Sequence, residues 1–399
     1  MSTARSRAPE DSPVRPTRRA MTDVNVCAPL RLMLVIGGLQ AGGAERQLSE
    51  MANYWARSGA QVTLATWSGR EVADFYPLDH AVARVWLDAP ATDSSAFSRV
   101  TVSLRGILRL RRLLRSARPD AVVSFIDISN ICSILAATGL PVRVVVAERT
   151  HPAISRTASW PWRVLRRICY RWADCVVAQT RDAAAWLERN CRARVSVIPN
   201  SLRRLPQLQC ERELLIVAVG RLSNEKGFDL LLRAFAHVRP EFPQWRVCIL
   251  GNGSERGALL RLSEELQLGE RVEFVGEVRG VEAWLARAAL LVHPSRREGF
   301  PNVVLEAMGM GTAVICADCR AGPSELIRDG VNGRLVPVDD VAALARVMSE
   351  LMAKPAAREA LGREARRVVQ YYCQDTIMER WRACVLPAGK PLPDAGMPG

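Results

Sequence analysis

Several familiar markers are missing from this chain, and each absence excludes something. There are only four histidines in 399 residues. The one CxxC pair, Cys316 and Cys319, has no second pair and no neighbouring histidine, so it fits small buried residues at a strand end better than a zinc site. No apolar run is long enough to span a bilayer. The best, Ala28 to Leu39, is short, broken by Arg31 and followed by glycines. The opening "MSTARSRAPEDSPVRPTRRA" has no apolar segment after its arginines, which is not the form of a secretory signal. Residues 1–28 read as a disordered basic tail, with Met21 as an alternative start. The GxGxxG fingerprint of a dinucleotide-binding dehydrogenase does not occur, and no nucleic-acid-binding motif is recognisable.

Cysteine, by contrast, is plentiful. The eleven thiols lie mostly inside apolar runs, such as Cys248 in "RVCIL" and Cys175 in "DCVVA". That placement points to reduced thiols in a cytoplasmic core, not to a disulfide framework. Nearly half the residues are apolar and a quarter charged, the composition of a globular protein. The net charge is +14, and it is uneven. Residues 1–200 carry 28 basic against 16 acidic side chains, and residues 201–399 carry 27 against 25. Residues 101–200 alone hold 17 against 6. Nearly all the basic residues are arginine, but a bias towards arginine does not explain the asymmetry. A basic surface on the first half implies a polyanionic partner.

Length predicts two domains. Short aliphatic runs alternate with amphipathic helical stretches from "RLMLVIGG" to "RVSVIPN". The rhythm restarts at "ELLIVAVGR" after the polar, turn-rich "NSLRRLPQLQCERE". Strand–helix alternation predicts parallel sheets covered on both faces. The expected organisation is an N-terminal Rossmann-like domain over 29–205 and a C-terminal one over 206–370. A helix over 371–385 is expected to cross back to the first domain, and 386–399 to form a tail. Ligands of such sheets bind at the carboxyl ends of the strands, here a cleft between the domains.

Three stretches carry chemistry. In "GGLQAGGAERQ" the pair Gly42 and Gly43 stands between a strand and a helix, where backbone can approach an anion closely. In "VGRLSNEKGFDLL", Arg221 ends a strand and Lys226 opens a helix; two cations beside a helix N-terminus suit a diphosphate, although a loop ion pair between Lys226 and Glu225 is an alternative. In "REGFPNVVLEAMGMGT", Pro301 suits the first position of a helix reaching Gly309. Glu298 then precedes that helix and Glu306 lies a little over one turn inside it. Such a pair is better placed to grip two ends of one elongated ligand than to share a proton.

The combination of "GGAER", "VIPNSL", "VGRLSNEKG" and "EGFPNVVLEAMGMG" resembles the GT-B glycosyltransferases, specifically the retaining family four, over nearly the whole chain from Arg31 to about Cys384. The resemblance implies an α/β GT-B fold, two Rossmann-like domains facing across a cleft. It also implies roles. Glu298 would hold hydroxyls of the donor sugar and Glu306 the nucleotide ribose. Arg221 and Lys226 would hold the diphosphate, with the backbone of Phe300, Pro301 (carbonyl only), Asn302 and Val303 near the phosphates. Gly42 and Gly43 would approach the diphosphate or the acceptor. Relatives often carry a histidine after a strand of the first domain, close to the donor sugar. Here "VVVAERTHPA" offers His151, offset by about one residue, or Arg149. His293 is a further donor neighbour. The family is typically metal-independent, no DxD motif stands in the matching place, and no cofactor is expected.

Two basic helices complete the picture. In "VSLRGILRLRRLLRSA", Leu104, Ile107, Leu108 and Leu114 share a face expected to pack on the sheet, opposite Arg105, Arg109 and Arg112. In "SWPWRVLRRICYRWAD", Trp160, Trp162, Tyr170 and Trp172 interleave with Arg163, Arg166, Arg167 and Arg171. That mixture suits an anionic membrane surface. The expected enzyme is peripheral on the inner face of the cell membrane. The opening "GGAERQLSEMANYWARSG" resembles relatives that add a hexose or N-acetylhexosamine to polyprenyl-diphosphate-linked saccharides, which implies that the enzyme would take a nucleotide-sugar donor, UDP-N-acetylgalactosamine first and GDP-mannose as the alternative. Its acceptor would be a lipid-linked saccharide, and nucleic acid is not an expected partner.

Overall fold

The computed structural model describes residues 29–40, 42–88, 96–153, 160–206, 208, 210–320 and 322–386, with side chains from 104 onward in the helix that opens at Ala96. The tails expected at 1–28 and beyond 386 lie outside the described residues.

The aliphatic runs are strands of two sheets, parallel throughout. The first contains β1 (Arg31–Ile36), β2 (Gln61–Thr66), β3 (Ala83–Trp86), β4 (Ala121–Phe125), β5 (Arg143–Ala147), β6 (Cys175–Ala178) and β7 (Val195–Val197), in the order β3-β2-β1-β4-β5-β6-β7. The second contains β8 (Glu213–Val219), β9 (Arg246–Leu250), β10 (Val272–Gly276), β11 (Ala288–His293), β12 (Ala313–Ala317) and β13 (Arg334–Val336), in the order β10-β9-β8-β11-β12-β13. Each is a Rossmann-like doubly wound sheet. Helices cover both faces, so central strands such as β4 and β12 are buried at every position. In each sheet the winding reverses beside its first strand, between β1 and β4 and between β8 and β11. A crevice opens at the carboxyl ends of such strand pairs, and the motif loops all emerge there.

The helix Gln374–Val385 packs on the first sheet, not the second. Ile377, Met378 and Trp381 join that core, and Trp381 stacks on Phe125 with ring centroids 5.7 Å apart. The preceding helix, Val368–Tyr372, belongs to the core of the second sheet. The chain thus returns to its first half at Cys373, where Leu202 N–H donates to the Tyr372 carbonyl at 2.6 Å.

Two sequence-based expectations need correction here. The donor-side helix begins at Asn302, not Pro301. Pro301 has ψ 88° and stands just outside, its carbonyl accepting from Val304 and Leu305. In the helix Ala96–Ala117, Leu110 and Leu114 are buried, but Leu104 and Leu108 are 55 % and 52 % exposed. Among the described residues of that helix, Ile107, Leu110 and Leu114 pack on the first sheet, while Leu104 and Leu108 do not.

Candidate functional site

The cleft between the sheets encloses about 760 Å³. On its C-terminal side the loop after β8 carries Arg221 and Lys226, and the loop after β11 carries Glu298. These two loops are pressed together. Gly227 has φ 66°, and a Cβ there would stand 2.1 Å from the Pro294 carbonyl oxygen, so only glycine fits. Arg296 clamps the same pair of loops. Its guanidinium makes a two-pronged contact with Asp229 at 2.7 and 2.8 Å, and also donates to Asp339 and to the Asn224 carbonyl.

Lys226 Nζ consequently meets Glu298 Oε1 at 2.6 Å, while Glu225 faces Arg297 at 3.7 Å. The alternative of a loop ion pair between Lys226 and Glu225 is therefore not what forms. His293 Nε2 lies 2.7 Å from the same Glu298 oxygen, with Ser295 Oγ 3.1 Å from that ring nitrogen. Burial by itself would raise the Glu298 carboxyl. Lys226 and His293 outweigh it and hold the group far below the ordinary carboxylate range. Glu298 is a fixed anion that accepts hydrogen bonds and donates none. Behind it, burial pushes the Cys319 thiol up to about 12 and Cys316 well above its usual value. Both stay protonated and inert.

The helix Asn302–Gly309 faces the N-terminal domain. Asn302 Oδ1 accepts from Asn200 Nδ2 at 2.5 Å. Asn200 Oδ1 in turn accepts from Gln179 Nε2 at 2.7 Å and from the Arg149 guanidinium. One turn further along, Glu306 Oε1 is 2.6 Å from Arg46 Nη2. Gly299 marks a close approach of the two backbones, since a Cβ there would stand 2.7 Å from the Arg149 carbonyl oxygen. Arg149 lies over the Phe125 ring at 4.3 Å, and burial pulls it down to about 9 against the opposing pull of Glu45. Gly42 is fixed by Tyr76, whose hydroxyl accepts from its N–H and donates to its carbonyl.

Eleven candidates therefore line one cleft: Gly42, Gly43, Arg149, Arg221, Lys226, His293, Glu298, Phe300, Asn302, Val303 and Glu306. Phe300 does so with its ring against Tyr372, centroids 6.1 Å apart. His151 is not among them. Its ring is buried with Nε2 3.1 Å from Asp182, and Nδ1 accepts from Ala153 N–H. Arg166 is corrected too. It is 1 % exposed, with Nη1 3.5 Å from Glu148 and 4.0 Å from Asp127, and Nη2 donating to the Pro152 carbonyl. It is an inner residue of the helix Trp160–Cys169, as is half-buried Trp162. Trp160, Arg163 and Arg167 are exposed on that helix, away from the cleft lining. Glu45, Arg46, Tyr76, Gln179 and Asn200 line or brace the cleft and had been given no role; Arg46 and Asn200 sit inside the "GGAER" and "VIPNSL" motifs themselves.

Two doubly wound sheets with a charged cleft at their facing carboxyl edges define the GT-B class. Solved structures agree at the level of fold. Sucrose-phosphate synthase from Thermosynechococcus elongatus superposes with a TM-score of 0.76 at 20 % identity, covering 88 % of this chain and 97 % of that one. Anabaena HepE in complex with UDP gives 0.71 at 19 % identity, covering 88 % and 98 %. The model of "Glycosyltransferase Family 4" matches residues 41–202, and that of "Glycosyl transferases group 1" matches residues 205–368. The chain belongs to this glycosyltransferase family. Among its relatives, a Campylobacter jejuni α-1,4-N-acetyl-D-galactosaminyltransferase named for a diNAcBac-PP-undecaprenol-linked saccharide is 27 % identical, over 88 % of this chain and 97 % of that protein. The amylovoran biosynthesis glycosyltransferase AmsD of Erwinia amylovora is 25 % identical over 88 % and 98 %.

Proposed function

We propose that this glycosyltransferase moves a hexose or N-acetylhexosamine from a UDP-sugar to a lipid-linked saccharide, retaining the anomeric configuration, in the building of a polysaccharide or glycan. The observation that carries the reading is the fixed Glu298 anion beside Lys226 in the lining of an interdomain cleft. Glu298 accepts from hydroxyls of the donor sugar and Glu306 from the ribose, with Arg221, Lys226 and the N-terminus of the helix Asn302–Gly309 on the diphosphate between them. In the reaction the bond from the anomeric carbon to the diphosphate oxygen breaks and the acceptor oxygen bonds to that carbon on the same face. The acceptor's proton passes to the departing phosphate oxygen. Charge builds on that leaving group, so fixed cations stabilise the transition state more than the ground state. The transferred sugar and the acceptor class take their support from the Campylobacter relatives, whose names specify N-acetylgalactosaminyl transfer and undecaprenol-linked saccharides.

A panel of UDP-hexoses, UDP-N-acetylhexosamines and GDP-mannose, read by hydrolysis and thermal shift, tests the donor. Turnover of GDP-mannose alone would replace uridine by guanosine in this reading. Lys226→Ala should weaken UDP binding by about tenfold and slow transfer as well, the loss of one charge-assisted contact. Undiminished UDP affinity would remove Lys226 from the diphosphate.

The acceptor places the enzyme on an anionic membrane. No described helix is long and apolar enough to cross a bilayer. Instead the helices Ala96–Ala117 and Trp160–Cys169 flank the helix Asp127–Ala137 in one layer. They expose Leu104, Leu108, Trp160 (70 %), Val164 and Ile168 beside Arg163 and Arg167. Apolar and basic groups on one face suit headgroups. Co-sedimentation with phosphatidylglycerol vesicles should fall with salt. Trp160→Ser with Arg163→Glu and Arg167→Glu should lower it by tenfold or more, at about 1 kcal/mol per basic residue. Equal recovery with neutral and anionic vesicles would sink the membrane reading.

A further inference from the structure

Arg46 has no part in the reading above, yet through it the N-terminal domain grips the donor-side helix. It stands in the first turn of the helix Gly43–Arg57, and its side chain is 21 % exposed against 6 % for that of Glu306. Glu50, one turn on, braces it at 3.8 Å. Arg203, itself paired with Glu282, comes within 4.0 Å of the same Glu306 oxygen. The closest approach of both guanidinium groups is thus to Oε1. A carboxylate has two oxygens and about four lone-pair directions, so cations gathered at Oε1 leave Oε2 to accept from other donors. Arg46 and Glu306 both line the cleft.

We propose that Arg46 is a positioning residue for donor recognition: it holds Glu306 by Oε1 so that the carboxylate presents Oε2 to the ribose hydroxyls of the nucleotide. The proposal rests on the assignment of Glu306 to the ribose. Its consequence is that the N-terminal domain takes part in reading the ribose through Glu306, without an N-terminal side chain on the diol itself. Full recognition then requires the two domains to be as close as they are here. A mobile Glu306 would still accept hydrogen bonds, but it would lose orientation entropy on binding the diol.

The test is calorimetric titration with UDP, 2′,3′-dideoxy-UDP and inorganic pyrophosphate. Arg46→Gln should bind UDP about tenfold more weakly, as expected for one charge-assisted contact. Binding of dideoxy-UDP and pyrophosphate should not change, and Arg46→Lys should recover part of the loss. Equal weakening towards all three ligands overturns the proposal, because it would mark a phosphate contact or general damage. Unchanged or tighter UDP binding also overturns it, the latter marking Arg46 as a competitor for Glu306. Glu306→Gln separates the two layers. If that variant still prefers UDP to dideoxy-UDP, the ribose assignment itself is wrong. If it loses the preference while Arg46→Gln matches the parent, only the role of Arg46 fails. Should Arg46→Gln fold poorly by leaving Glu306 buried and unpaired, Arg46→Lys retains the charge. A UDP-specific loss in Arg46→Lys supports the proposal, and no loss overturns it.

Discussion

Glu298→Ala is expected to lower the rate of transfer by about 10²–10³-fold or more, the scale of losing a preorganised contact to the transition state. UDP binding should survive, because Arg221, Lys226 and the ribose carboxylate Glu306 are left in place. The split follows from geometry. Glu298 Oε1 gathers Lys226 and His293 at 2.6 and 2.7 Å, so removing it releases two donors that then lack a fixed partner. Glu298→Gln keeps the volume but presents an amide to the same two donors, and should be nearly as slow. Since Lys226 and His293 hold the carboxyl far below its ordinary value, Glu298 stays ionised across the working pH range. Any acidic limb in the rate profile belongs to another group. Measurement of product formation beside UDP titration checks both halves, and transfer at the parent rate in Glu298→Ala would falsify the site assignment.

The second large effect is on stability. Arg166→Ala is expected to cost about 3–5 kcal/mol of unfolding free energy, the usual result of removing one side of a buried ionic cluster. Arg166 is the cation of a fully enclosed group in which Tyr170 donates to Glu148 at 2.6 Å and Asn130 donates to Tyr170 at 3.0 Å. Burial pushes Glu148 up to about 7, with Arg166 pulling it the other way. A carboxyl raised in the folded state favours folding below its unfolded value, and that contribution is lost as pH rises through the folded one. Without Arg166 the raised value climbs further, so the penalty of Arg166→Ala should grow from pH 6 to about pH 8. Arg166→Met with Glu148→Gln, which removes the cation and the nearer of its two buried anions, should recover part of the loss. Denaturant titrations at several pH values check this, and a flat profile with a loss under about 1 kcal/mol would place Arg166 on a hydrated surface instead. Vesicle binding by a folded Arg166 variant should match the parent, because this arginine faces inward.

How much of this was legible beforehand depends on how local each signal is. Strand–helix alternation, the restart after "NSLRRLPQLQCERE" and the loops of the donor side are written in neighbouring residues. Gly227 must be glycine to let one loop lie on the other, and Pro301 supplies the carbonyl that begins a helix. Arg166 was misread for the opposite reason. Trp162, Arg166 and Cys169 follow helical spacing along an inner face, but an arginine in a basic helix reads as solvated unless its buried anions are seen. Asp127 opens the helix that follows β4, and Glu148 stands just after β5. His151 has the right place in the chain and the wrong direction. Arg149 and Thr150 line the cleft, while two bonds later the ring is turned to Ala153 and Asp182.

The sequence by itself determined the two parallel sheets, the cleft at their carboxyl edges, and the residues that one helix and two short loops bring together: Arg221, Lys226, Glu298, Asn302 and Glu306. Periodicity and backbone chemistry act over a few residues, so a linear reading can follow them. Only the tertiary structure decided the pairing across the cleft. Arg46 reaches Glu306 over 260 positions and Asn200 reaches Asn302 over 102. Which charge meets which at that separation depends on how the two sheets are set against each other, and no local pattern encodes that. Burial works the same way. It turned Arg166 from a surface cation into the centre of a core cluster, and left Leu104 and Leu108 outside a core that their spacing alone would have given them.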